Sequence, residues 1–291
     1  MSRSASFLRV GVAYAAWIAV GAAWLFLGPD TGHLWLDGLI ADVLATLVVF
    51  VASRLHGNSS FYDAYWSVLP PLLAAYWWFE HAPAATDARF WLLMVVLVVW
   101  AVRLTGNWIY AWPGLQHEDF RYAPIKEGAG RFGPLADLFG IHLIPTFQVF
   151  LGLVPVYVVT RQGGPLNWLD VVAVAVGLGS VLIETIADLQ MHRFARIKQP
   201  GQVMDQGLWA WSRHPNYFGE FGFWLALGLF GLAASPSSWV VLIGAAAMLA
   251  MFLGVSIPMM EKRSLERRPD YAEVIERVPL FVPRPPRFTL G

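Results

Sequence analysis

The chain has 291 residues, 57% hydrophobic and 14% charged, with a formal net charge of zero and a mean hydropathy of +0.53. Soluble domains carry about 25% charged residues, so a chain this apolar cannot cover itself with polar surface and reads as an integral membrane protein. The absence of cysteine excludes disulfides, thiolate metal sites and cysteine nucleophiles, no metal site is expected, and the neutral balance gives no basis for nucleic-acid binding.

Apolar runs of about 20 residues, enough to cross ~30 Å of hydrocarbon as helix, recur along the chain. The first, 7–27, has a basic start and small residues but reads as an uncleaved span. The second, 35–54, carries Asp37 and Asp42 on its outer half. The third, 61–79, is the weakest, because Pro70-Pro71 interrupts it; Asp63 lies near its inner end. Its Tyr76-Trp77-Trp78-Phe79 stretch reads as a lipid-facing aromatic belt. The fourth, 89–112, places Arg103 and Asn107 four apart on one face. The fifth, 138–160, holds Gln148. The sixth, 167–190, holds Glu184 and Asp188, also four apart, with Gln190 beyond. The seventh and eighth, 218–234 and 237–258, form a hairpin around Ala234-Ser235-Pro236-Ser237. The expected fold is an all-α polytopic membrane bundle of seven or eight transmembrane helices, a single domain over 1–291.

With the N-terminus inside, all Lys and Arg residues fall on inner segments except Arg89 and Arg161 outside and Arg103 within a span. That asymmetry fits the positive-inside rule and puts both termini in the cytoplasm. Nearly all of Asp63, Arg103, Asn107, Gln148, Glu184, Asp188 and Glu220 then fall in the inner half, as one polar cavity open to the cytosol would require. The alternative is that Arg103 ties helices together by pairing with Glu184 or Asp188. Asp37 reads as interfacial; Asp42 stands outside the cluster.

The inner loops carry what a dinucleotide phosphate needs, with Arg forks for bidentate binding and Lys for neutralisation. They are His117-Glu118-Asp119-Phe120-Arg121-Tyr122, then Arg193, Arg196 and Lys198, then Arg213-His214, and finally Lys262-Arg263. The alternative is topology alone, the preferred reading for Arg267, Arg268, Arg284 and Arg287. No Gly-x-Gly-x-x-Gly or phosphate-binding Gly-Lys-Ser/Thr loop is present. Trp211-Ser212-Arg213-His214-Pro215-Asn216-Tyr217-Phe218-Gly219-Glu220 is the densest chemical stretch, set where an apolar run begins.

Gly207-Leu208-Trp209 through Glu220, with Glu184 and Asp188 upstream, resembles the steroid 5-alpha-reductase superfamily, and more narrowly its bacterial branch of membrane proteins. Asn216-Tyr217-Phe218-Gly219-Glu220 is the specific string. Arg103-x-x-x-Asn107, His117-Glu118-Asp119-x-Arg121-Tyr122 and Pro269-Asp270-Tyr271 with Pro279 and Pro283 match that branch too. The resemblance covers about 58–283 as a reductase-like core and leaves 1–57 outside its strongest part.

The resemblance implies NADPH held on the cytoplasmic side of a bacterial inner membrane protein. Asn216 and Glu220 would lie at the nicotinamide end, with Asp188 nearby. Arg103, Asn107, Asp119, Arg121, Tyr122, Glu184, Arg193, Arg196, Lys198, Arg213, His214, Tyr217 and Arg263 complete the expected cofactor set. The implied reaction sends hydride to the beta carbon of a conjugated enone and a proton to its alpha carbon, the hydrophobic substrate entering from membrane lipid. The family's catalytic Gln-Glu pair falls on Tyr62-Asp63 here, making these the expected catalytic residues. Its Tyr falls on Trp100, whose indole can donate a hydrogen bond but is no acid.

Two other classes stay open. An S-adenosylmethionine-dependent membrane methyltransferase of isoprenylcysteine or phospholipid type shares the shape of Gly207 to Tyr217 and of Glu261 to Tyr271. A non-enzymatic transporter or assembly factor would predict polar residues from face to face, whereas here they thin toward the outer half.

Overall fold

The computed structural model describes residues 1–81 and 88–285; Arg287 lies outside the described residues. It is all-helical, with no strand among those residues, and divides into two compact units, Met1–Gly164 and Pro165–Gly291. Among the described residues, seven helical stretches are long and apolar enough to cross a membrane. On α4 (Ala88–Ala111) the side chains of Val95, Val98, Val99 and Val102 are exposed, which suits lipid and would be costly in water. The protein is an integral membrane protein.

In the first unit, α1 (Arg3–Leu27) starts at Ser2, whose Oγ accepts the Ala5 N–H at 3.2 Å. Helix α2 (Leu34–His56) packs along it and stops at Gly57, where φ of +63° turns the chain back on the Ser53 and Arg54 carbonyls. Asn58 then caps a single turn, Ser59–Phe61, by accepting from the Ser60 N–H. That turn consumes the start of the third apolar run, so α3 is only Tyr65–His81, 17 residues. At 1.5 Å per residue it spans ~26 Å, at the lower limit for crossing the hydrocarbon, and it is not among the seven.

Its aromatic stretch also departs from the expected lipid-facing belt. Trp77 packs on Phe150 and Tyr157, and Trp78 stacks on Phe90 at 4.0 Å; both are buried, and Phe79 alone of the three is exposed. The fifth span, α5 (Gly130–Gln162), contains a π-helical segment, Asp137–Leu143.

In the second unit, α6 (Trp168–Ile197) opens with a reciprocal capping box between Asn167 and Asp170. It runs past residue 190, because no Gly or Pro intervenes before Pro200-Gly201. Arg193 and Arg196 therefore sit on a helix, where a loop was expected. Helix α7 (Pro215–Ala234) lies against α6. Asn167 Nδ2 donates to the Ala233 carbonyl at 3.0 Å and fastens the start of α6 to the end of α7. Helix α8 (Trp239–Arg267) contains a second π segment, Phe252–Ser256, and the short α9 (Tyr271–Arg277) packs its own small core of Tyr271, Val274 and Val278.

Glycine sets the α6–α7 approach. A Cβ at Gly219 would stand 2.8 Å from the Ser180 carbonyl oxygen and 2.6 Å from Glu184 Cγ; one at Gly222 would stand 2.2 Å from Ser180 Oγ. The Gly219 clash involves backbone and cannot relax by rotation, whereas Ser180 Oγ can turn away. We expect Gly219→Ala to destabilise by about 1–3 kcal/mol, the usual cost of overpacking, and Gly222→Ala by less. Thermal unfolding in detergent measures both, and equal losses would contradict this account of the contact.

Candidate functional site

The second unit builds its polar centre on a clamp. Arg213 Nε donates to Glu261 Oε1 at 2.6 Å, and Arg213 Nη1 donates to the Ile275 and Val278 carbonyls at 2.9 and 2.7 Å. Its backbone N–H donates to the Pro279 carbonyl, Ser212 Oγ to the Phe281 carbonyl, and the Arg284 N–H to the Trp211 carbonyl. His214 Nε2 lies 3.2 Å from the same Glu261 oxygen. The His214 ring stacks near Tyr217, which stacks in turn on Phe252 at 4.9 Å and 13°. Burial pushes the nearby Tyr271 hydroxyl up to about 12, with the Glu261 charge adding to the effect, so it remains a phenol at neutral pH.

The clamp fixes the start of α7, where the specific string lies. Asn216 and Glu220 are four apart and share a face. Asn216 is half-buried, and its amide takes no partner among the described residues. Glu220 is buried and accepts from Trp224 Nε1 at 2.8 Å. Glu184, 1% exposed, approaches Gly219 from α6. Asp188, one turn on, is half-buried. The preceding loop is pinned to α6 by Leu208 N–H to Gln190 Oε1 at 2.9 Å and by Trp209 Nε1 to the Ala187 carbonyl at 3.0 Å. Arg193, Arg196 and Lys198 are exposed at the end of α6, and Arg263 is half-buried on α8.

The first unit has a polar centre of its own. Tyr122 donates its hydroxyl to Asp63 Oδ1 at 2.6 Å. Burial, reinforced by the Asp63 charge, holds the Tyr122 phenol well above its ordinary value, so it serves as a donor. Arg121 forks onto Asp119 through Nε and Nη2 at 2.9 and 3.0 Å. Glu118 accepts from Lys126 at 2.6 Å and from the Ser59 N–H at 2.7 Å, and Asn58 Nδ2 donates to the Leu115 and His117 carbonyls. These bonds seat the His117–Tyr122 loop on the turn that carries Asp63.

Tyr62 and Asp63 diverge. The Tyr62 hydroxyl, 2.8 Å from Thr146 Oγ1, is buried in the helix packing, where Thr146 also meets Thr46 at 2.8 Å. Trp100 is wholly buried beside Trp66. Arg103 and Asn107 are half-buried on α4, next to Thr105, which meets Ser67 at 2.9 Å.

The sequence-predicted residues thus form two groups, one in each unit. Sequence reasoning missed Glu261 as the common partner of Arg213 and His214, and missed Asn58, Glu118 and Thr146 as supports. Two of these carried a signal, Glu261 by its place in the Glu261 to Tyr271 segment and Glu118 by its place in the His117-Glu118-Asp119 motif. Among the described residues, no group of three His, Asp or Glu could hold a metal ion.

Residues 49–278 match the model of the DUF1295 family, described as a protein of unknown function. The match covers well over half of the chain, which belongs to this family. The chain is also similar to the uncharacterized protein C594.04c of the fission yeast Schizosaccharomyces pombe, 26% identical over 282 residues, covering 85% of this chain and 79% of the yeast one. No solved structure gives a significant match.

Removing one partner of a buried, hydrogen-bonded ion pair costs about 3–5 kcal/mol. Arg213 side-chain exposure is 9%. Arg213→Ala should therefore destabilise the protein and release the segment from Ile275 onward first, read as faster proteolysis or amide exchange there than in α6. Unchanged protection of that segment would refute the clamp.

Proposed function

We propose that the protein is a membrane-embedded reductase that uses NADPH to saturate a conjugated carbon–carbon double bond in a hydrophobic enone, with a 3-oxo-delta-4 steroid the first substrate to test. The observation that carries this reading is the start of α7. Asn216 keeps its amide uncommitted on the same helix face as Glu220, with Glu184 against the intervening Gly219. A nicotinamide carboxamide presents an N–H₂ donor and a carbonyl acceptor, which an amide and a carboxylate complement.

Cofactor phosphates would be met by Arg196, Lys198 and Arg263, and Arg121 stands with Asp119 on the first unit's loop. NADPH supplies the hydride for the beta carbon. The chain's own tasks are to orient the enone, exclude water and deliver a proton to the alpha carbon. Asp63, hydrogen-bonded to Tyr122, is the group assigned to that proton. Basic residues concentrated on the inner segments support a site facing the cytoplasm of a bacterial inner membrane, and the apolar exterior suits a substrate arriving from lipid.

One observation favours a second reading. Arg213 and His214 converge on Glu261, joining the two segments that membrane methyltransferases share. S-adenosylmethionine carries no phosphate, so the basic residues at the end of α6 would have no role with it.

Purified protein should retain NADPH, and Asn216→Ala should weaken retention about tenfold or more, the scale of one lost hydrogen bond to a charged or strongly polar group. Stabilisation by S-adenosylmethionine together with indifference to NADPH would overturn the reductase reading. With an active enone, Asp63→Asn should lower turnover by about 10²-fold or more while NADPH retention stays intact. Full turnover would remove Asp63 from the proton-donor role.

A further inference from the structure

Of the basic residues in the last turns of α6, Arg193 is the one to which the proposed reductase reading gives no task. A cavity of about 240 Å³ lies there, lined by Gln190, Arg193, Phe194, Ile197, Met204 and Gln206. Pockets for drug-sized ligands run from about 300 to 1,000 Å³, so this one is too small for a whole dinucleotide and fits a compact headgroup.

Helix length fixes its depth. Thirty residues at 1.5 Å each give ~45 Å, against ~30 Å of hydrocarbon. Trp168, 72% exposed, marks one boundary as an interfacial aromatic. Hydrocarbon then covers about 20 residues, to the neighbourhood of Asp188. The side chains agree, since exposed Val171, Leu178, Leu182 and Ile186 give way to Asp188, Gln190, His192, Arg193 and Arg196. The cavity therefore sits at headgroup level.

Its lining is divided. Phe194 and Met204, each 9% exposed, make an apolar floor, and Ile197, 76% exposed, stands at the rim. The polar wall offers donors. Arg193 has no carboxylate partner among the described residues. Gln190 gives its Oε1 to the Leu208 N–H, which leaves its N–H₂ group to donate. Gly207 permits that arrangement, because a Cβ there would stand 2.4 Å from Gln190 Nε2.

We propose that this cavity binds the headgroup of an anionic phospholipid of the phosphatidylglycerol type. Arg193 takes the phosphate in a forked, charge-assisted contact. The Gln190 and Gln206 amides take the glycerol hydroxyls, and Phe194, Met204 and Ile197 receive the first methylenes of the acyl chains. The site assigns Arg193 to the membrane and does not depend on which reaction the protein performs.

Native mass spectrometry of delipidated full-length protein, titrated separately with phosphatidylglycerol and phosphatidylcholine, tests it. Wild type should retain one phosphatidylglycerol in preference to phosphatidylcholine. Arg193→Gln, which removes the charge, and Met204→Trp, which fills the cavity, should each cut that retention about tenfold with phosphatidylcholine retention unchanged. Gln206→Glu, a smaller change in packing that sets a negative charge on the polar wall, should do the same if Met204→Trp fails to fold. Equal retention of the two lipids by wild type, or undiminished phosphatidylglycerol retention by the folded variants, would overturn the proposal.

Discussion

Hydrocarbon supplies no hydrogen bonds, so each polar group that enters it must be met from within the protein. That constraint is plainest in the first unit. Asp42 receives the Tyr65 hydroxyl at 2.7 Å, Thr46 meets Thr146, and the buried Arg89 donates to the Gly163 carbonyl at 2.9 Å. Asp137 gathers Ser59, Arg54 and His142, and His142 reaches on to Ser53. Polar groups spent in this way hold helices together. The constraint thereby separates structural from chemical candidates, and Asn216 belongs to the second kind because none of the described residues claims its amide.

The second unit joins this satisfaction of charge to close packing. Arg213 neutralises Glu261 and at the same time fills carbonyls at the end of α9. One guanidinium thus fastens α8, α9 and the start of α7. From that fixed start, Gly219 lets α7 approach α6 closely enough to bring the Glu220 turn against Glu184. The two devices are independent, one electrostatic and one steric, and both converge on the same five-residue string.

Much of the helical framework was legible from hydropathy, since spans one, two, four, six and seven are continuous apolar runs with recognisable starts. The third run forms a shorter helix than its hydropathy suggests, because Asn58 and two serines favour a capped turn over a helix start, which a hydropathy average does not register. Trp77 and Trp78 looked interfacial by composition. Their burial depends on Phe150, Tyr157 and Phe90, most of them distant in sequence. Asp42 had no local explanation because its partner lies 23 residues away. In the candidate site, the α7 string was visible as a motif, and Arg213 was placed in the cofactor set by its charge, its position beside Pro215 and Asn216, and the resemblance. Its carbonyl partners 62 and 65 residues away leave no local pattern.

The π segment in α8 bears on how a helical wheel can be drawn for this chain. Phe252 and Glu261 are nine residues apart. In an unbroken α-helix nine steps of about 100° put them on opposite sides, roughly 180° apart. The widened turn at Phe252–Ser256 holds the winding back by about one residue's worth of rotation and swings the later positions toward the face of Phe252. Phe252 stacks on Tyr217 while Glu261 meets His214, so both ends of the turn address the same short stretch of α7. Deleting one residue between 252 and 256 would restore plain α-helical winding with eight steps from Phe252 to the carboxylate, about 80°, and so keep Glu261 toward Arg213; tightening the turn with no deletion would carry the carboxylate round to the far side.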